Sequence, residues 1–62
     1  MKRTDLIRHI EKNGCRFIRE GGNHTFYINP RTNRRSTIPR HREINKFTAI
    51  AICRQLEIPD PR

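Results

Sequence analysis

A histidine placed just after two glycines is the first residue of this chain with chemistry to offer. The run Gly21-Gly22-Asn23-His24-Thr25-Phe26-Tyr27 sets an imidazole at the mouth of a tight turn, where polar residues begin to alternate with aromatic or branched ones. Glycine permits backbone conformations and close approaches that a Cβ forbids. Histidine has the unperturbed side-chain pKa nearest neutrality. Arginines stand on both sides of the run. An imidazole in such surroundings fits proton transfer on a polyanion. Against RNA, His24 would take the proton of a 2′-hydroxyl or give one to the leaving 5′-oxygen, a role typically worth about 10²–10⁴-fold. That chemistry asks for no metal ion and no cofactor. Ordinary polar surface on a turn would present the same histidine.

The positive charge is the second signal. Lys and Arg number 14 against 6 Asp and Glu, a formal net charge of +8. Such a balance points to nucleic acid, an anionic membrane surface or an acidic protein as partner. Arginine outweighs lysine, and arginine is favoured for bidentate contacts with phosphate. The basic set is Arg16, Arg19, Arg31, Arg34, Arg35, Arg40 and Arg42. The candidate RNA contacts are Arg19, Asn23, Arg34, Arg35, Arg40 and His41. His41, in Ile38-Pro39-Arg40-His41, is a second acid–base candidate, a phosphate ligand or a plain loop residue. His9 reads as a solvated helix position beside Arg8. Tyr27 suits either base stacking or cover for a sheet edge, while Phe17, Phe26 and Phe47 are expected in the core.

Several classes are excluded. His24, His41, Cys15 and Cys53 lack the spacing of a zinc site, and the carboxylates form no converging set for a two-metal nuclease. Cys15 and Cys53 sit among apolar neighbours and are expected as buried free thiols. No apolar run is long enough to span a bilayer, and no signal-peptide core follows the basic start, so a cytoplasmic protein with no membrane partner is expected. Residues 1–62 should form a single domain. A chain of this length buries only about 60% of its unfolded surface, so its stability should be marginal.

The elements that must position these residues follow from periodicity. Thr4 can cap a helix with Asp5 in its first turn, carrying Leu6, Ile7 and Ile10 inward and leaving Arg3, Arg8 and Lys12 to solvent; Asn13-Gly14 should stop it. From Cys15 to Glu20 the period becomes two, with Cys15 and Phe17 on one face and Arg16 and Ile18 on the other. Gly21-Gly22 turns the chain into a strand over Thr25–Asn29. His24, Phe26 and Ile28 then share one face, Thr25 and Tyr27 the other. A polar turn precedes a third strand over Arg35–Ile38, which Pro39 should end or confine to an edge. After a connector from Arg40 to Lys46, Thr48 can cap a second helix with Ala49, Ile52, Cys53 and Leu56 on one face, ending near Ile58. The expected class is α+β, in the order α-β-β-β-α, with a three-stranded antiparallel sheet packed against two helices.

In order and spacing these residues resemble the HicA toxins, the RNA-cleaving members of HicA–HicB toxin–antitoxin pairs. The resemblance runs from about Leu6 to Ile58. It rests on Leu6-Ile7, Gly14, Arg19, Gly21 or Gly22, His24, Phe26, Pro30, Ile38-Pro39-Arg40-His41, Glu43-Ile44, Thr48, Ile52 and Gln55-Leu56. It implies a fold like that of double-stranded-RNA-binding domains and an mRNA interferase of a type II toxin–antitoxin pair. It further implies catalysis by His24 and an acidic HicB-like antitoxin that blocks the site. Two positions depart from the family pattern: Asn23 stands where a small residue, commonly serine, precedes the histidine, and Phe47 stands where a glycine often precedes the capping threonine. The rival readings are a non-catalytic RNA-binding module of the same fold and a basic protein that only docks an acidic partner. His24 separates the first rival from the toxin, and RNA binding by the free protein separates the second.

Overall fold

Leu6 and Ile10 lie one helical turn apart, and their burial folds α1 over Arg3–Lys12. The computed structural model describes residues 1–61 and continues with β1 (Arg16–Gly21), β2 (His24–Asn29), β3 (Arg34–Pro39) and α2 (Lys46–Gln55). This is the expected α-β-β-β-α order, consistent with the double-stranded-RNA-binding-domain-like fold. The sheet is antiparallel with β2 in the centre, and Pro39 falls at the end of an edge strand. Among the described residues no helix is long and apolar enough to cross a membrane.

Both helix starts differ from expectation. Thr4 is not the cap of α1. Lys2 holds that position without a side-chain bond, because the preceding backbone pairs with the connector. The Arg3 N–H donates to the Arg42 carbonyl at 2.8 Å, and the Lys2 carbonyl accepts from Asp5 and Leu6. Thr48 is likewise not the cap of α2; Asn45 Oδ1 accepts the Phe47 N–H at 2.7 Å, so the helix begins earlier. Both helices end in Schellman motifs. In α1, Gly14 at φ +92° lets Cys15 N–H reach the Ile10 carbonyl; in α2, Glu57 at φ +58° does the same for Ile58 and the Cys53 carbonyl.

The core is aliphatic. Leu6, Ile10, Ile38, Cys53 and Leu56 are fully buried, joined by Ala49, Ile52 and Tyr27. Both cysteines are free and buried, as expected. The phenylalanines are not in the core: Phe47 is 78% exposed, Phe17 52%, and Phe26 is half-buried on the sheet's outer face. The Phe17 and Tyr27 rings meet edge-on, ring centroids 6.1 Å apart. Tyr27 neither stacks outward nor covers an edge. It is buried beneath the helices, its hydroxyl donating to Glu11 Oε2 at 2.7 Å.

These buried groups set an alkaline limit on stability. Burial, followed by the bond to Glu11, pushes the Tyr27 pKa up to about 12 from 10.0. Burial pushes Cys53 up to about 11 from 9.0, and Cys15 in the same direction. A raised folded-state pKa gives stability that is complete below the unfolded value and is lost as pH rises through the folded one. Denaturant titrations should therefore show stability falling between about pH 9 and 12. Tyr27→Phe should flatten the upper part of that fall. Parallel losses in the two proteins would mean that Tyr27 does not carry the effect.

Candidate nucleic-acid interface

The hairpin between β1 and β2 has a two-residue loop, Gly22-Asn23, and Gly21 pairs with His24 across it. Gly22 has φ +58° and Asn23 does not share a positive φ, the pattern of a type II′ turn. Side chains alternate along β2. Thr25, Tyr27 and Asn29 point into the core, so His24, Phe26 and Ile28 project from the face that the helices leave open. His24 is exposed, and its imidazole makes no hydrogen bond to another described residue.

Strand pairing decides what accompanies His24. Gly21, His24 and Pro39 form one row on the open face; Arg19, Phe26 and Thr37 form the next; Arg16, Ile28 and Arg35 form the third. Regular alternation from Cys15 would have put Arg19 on the same face as Phe17. A β-bulge between Phe17 and Arg19 inserts Ile18 as an extra residue, so Phe17 pairs with Tyr27 on the inner face and Arg19 with Phe26 on the outer. The expected contact residues Arg19 and Arg35 therefore share a face with His24.

Asn23 and Arg40 are brought together by backbone. The Asn23 carbonyl accepts the Arg40 N–H at 3.2 Å, which fixes the connector beside the hairpin loop. Arg40 Nη1 lies 3.6 Å from Glu20 Oε1, and the same carboxylate oxygen accepts Thr25 Oγ1 at 2.9 Å. Thr25 Oγ1 in turn accepts from Arg3 Nη2 at 2.6 Å, and Arg3 Nε donates to the Pro39 carbonyl at 2.9 Å. Arg3 was expected on a solvent-facing position. It is half-buried and ties α1 to the strands that flank His24. Lys2, Arg3, Arg40 and Arg42 line one cleft with Thr4 and Glu43, four cations to one carboxylate.

The remaining expected contacts lie elsewhere. Arg34 pairs with Asn29 at the opposite end of β2 from His24, and its Nη1 approaches Glu57 Oε2 at 3.5 Å. It also belongs to β3 rather than to the preceding turn. His41 is exposed in the connector after Arg40 and does not line the basic cleft. Tyr27, committed to Glu11 on the inner face, is not available to His24. Among the described residues no three His, Cys, Asp or Glu side chains converge to hold a metal ion. The features that sequence reasoning missed are Arg3 and the outward ring of Phe26. The period-two alternation of β2 already set Phe26 beside His24, against the core expectation from its residue type; the only signal for Arg3 is strand register, which periodicity does not supply.

The arrangement can therefore hold a polyanion along an open sheet face, with an unencumbered imidazole at one corner. A family model described as the HicA toxin of bacterial toxin–antitoxin matches residues 3–58. No curated protein and no solved structure matches the chain.

Proposed function

Because the chain belongs to the HicA toxin family, we propose that it is an endoribonuclease toxin in which His24 moves a proton while arginines hold the RNA phosphates. The observation that carries this reading is the exposed His24 on the open sheet face, in register with rows that bear Arg16, Arg19 and Arg35. A nucleotide's own 2′-oxygen attacks the adjacent phosphorus, the bond to the 5′-oxygen breaks, and the products are a 2′,3′-cyclic phosphate and a 5′-hydroxyl. His24 takes the proton from the 2′-hydroxyl or supplies one to the departing 5′-oxygen. The arginine charges offset the negative charge that grows on the phosphoryl oxygens in the transition state.

An acidic antitoxin of the HicB kind completes the reading. A face with this density of arginine offers charge complementarity to such a partner, and covering it would close His24 to RNA. Neutralisation would then require no unfolding of the toxin.

The test is cleavage of a single-stranded RNA by purified protein in excess EDTA. The rate should persist with at most a modest loss, and the downstream fragments should carry 5′-hydroxyl ends. Activity abolished by chelator and restored by a divalent cation would overturn the imidazole mechanism. An RNA that is bound yet never cut would favour a non-catalytic binding module.

A further inference from the structure

Arg19 lies over the ring of Phe26, its guanidinium carbon 4.1 Å from the ring centroid. Two features of the sequence make that possible. The bulge at Ile18 turns Arg19 outward. Gly21 leaves the space, for a Cβ there would lie 2.5 Å from Arg19 Nη1 and 2.8 Å from Phe26 Cε1. Beside the pair runs a groove lined by Ile18, Arg35, Thr37 and Gln55. An aromatic ring and a planar cation thus meet on the face that bears His24.

We propose that this is a nucleobase site for single-stranded RNA: one unpaired base stacks on the outer plane of the Arg19 guanidinium, which Phe26 backs from beneath. Guanidinium planes and aromatic rings are the surfaces on which splayed RNA bases stack, and a base inside a duplex offers no free face. Arg16 and Arg35, one row further along the sheet, take the flanking phosphates. Phe26 is two residues from His24 along β2, about 7 Å, so the stacked base belongs to a nucleotide next to the bond that His24 addresses. The site rests on the RNA-cleaving reading above, and it gives that reading a place for one particular base.

The experiment uses the full chain carrying His24→Ala, so that the RNA stays intact. Short single-stranded RNAs with 2-aminopurine at successive positions are titrated, and fluorescence and affinity are read together. One position should be quenched on binding. Arg19→Lys keeps the charge and removes the plane. It should abolish that quenching and weaken binding by about 5- to 150-fold, the range measured for one stacked base. The slope of log affinity against log salt should not change, because the number of cations facing phosphate is the same. Phe26→Leu should behave alike, with circular dichroism showing that it is folded. Arg19→Lys and Phe26→Leu proteins that quench and bind like the parent would overturn the site, as would equal affinity for a duplex of the same sequence. Wild-type protein that cuts RNA while no position is quenched also overturns it and leaves the nuclease reading standing. Quenching by a wild-type protein that cuts nothing does the reverse, and absence of RNA binding removes both.

Discussion

His24→Ala should give a folded protein that binds RNA and cleaves it about 10²–10⁴-fold more slowly, the loss of one acid–base group. Folding should persist for local reasons. His24 is exposed, bonds to no other described side chain, and opens a strand whose ladder depends on backbone groups. Surface changes of this kind usually move stability by no more than about 0.5 kcal/mol. Binding should persist because phosphate contacts by arginine supply most of the affinity. His41→Ala should be milder, since His41 lies on the connector outside the basic cleft and shares no strand row with His24. Initial rates on purified variants, run beside an RNA-binding titration, separate chemistry from binding. A folded His24→Ala protein that cuts at the wild-type rate would remove His24 from the chemistry and leave RNA binding as the protein's activity.

How far the sequence alone reaches is clearest on β1. Helical spacing of Leu6 and Ile10, the double glycine and the period-two stretch after it were enough for the element order and for the two faces of β2. They were not enough for β1, because one extra residue at Ile18 reverses the facing of everything after it, and nothing in Arg16-Phe17-Ile18-Arg19 marks which residue is extra. Arg19 reached the face of His24 by that reversal. The aromatics misled for a related reason. Phe17 and Phe47 carry core-like side chains, but an edge strand and a helix start leave them largely in solvent. The helix caps failed differently. Thr4, Thr48 and Asn45 are all competent caps by type; the backbone pairing of Met1–Arg3 with Arg42–Ile44 sets the start of α1, and the Asn45 side chain, accepting the Phe47 N–H, sets the start of α2. Arg3 reads as one more surface cation until register brings Thr25 and Pro39 within its reach.

The core should be the most sensitive part of the molecule, and Leu6→Ala should be among its most damaging simple changes. Leu6 is fully buried on α1, the helix whose first residue anchors the strands around His24 through Arg3. Removing its isopropyl group should cost about 2–5 kcal/mol, transfer and cavity together. At roughly 0.05–0.15 kcal/mol per residue, a chain of this size has only about 3–9 kcal/mol in total. The free variant should thus melt far below the wild type, and where it melts it should lose cleavage and RNA binding together, unlike His24→Ala, which loses only the first. An antitoxin that binds the folded form alone should oppose this by mass action, adding about 2.7 kcal/mol at a hundred times its Kd. Circular dichroism melts of the variant, free and with its partner, read both effects. A melting temperature within a few degrees of wild type would show that Leu6 is not part of the packed core. Collapse of the free variant, reversed by the partner, would show that the partner binds the folded form alone.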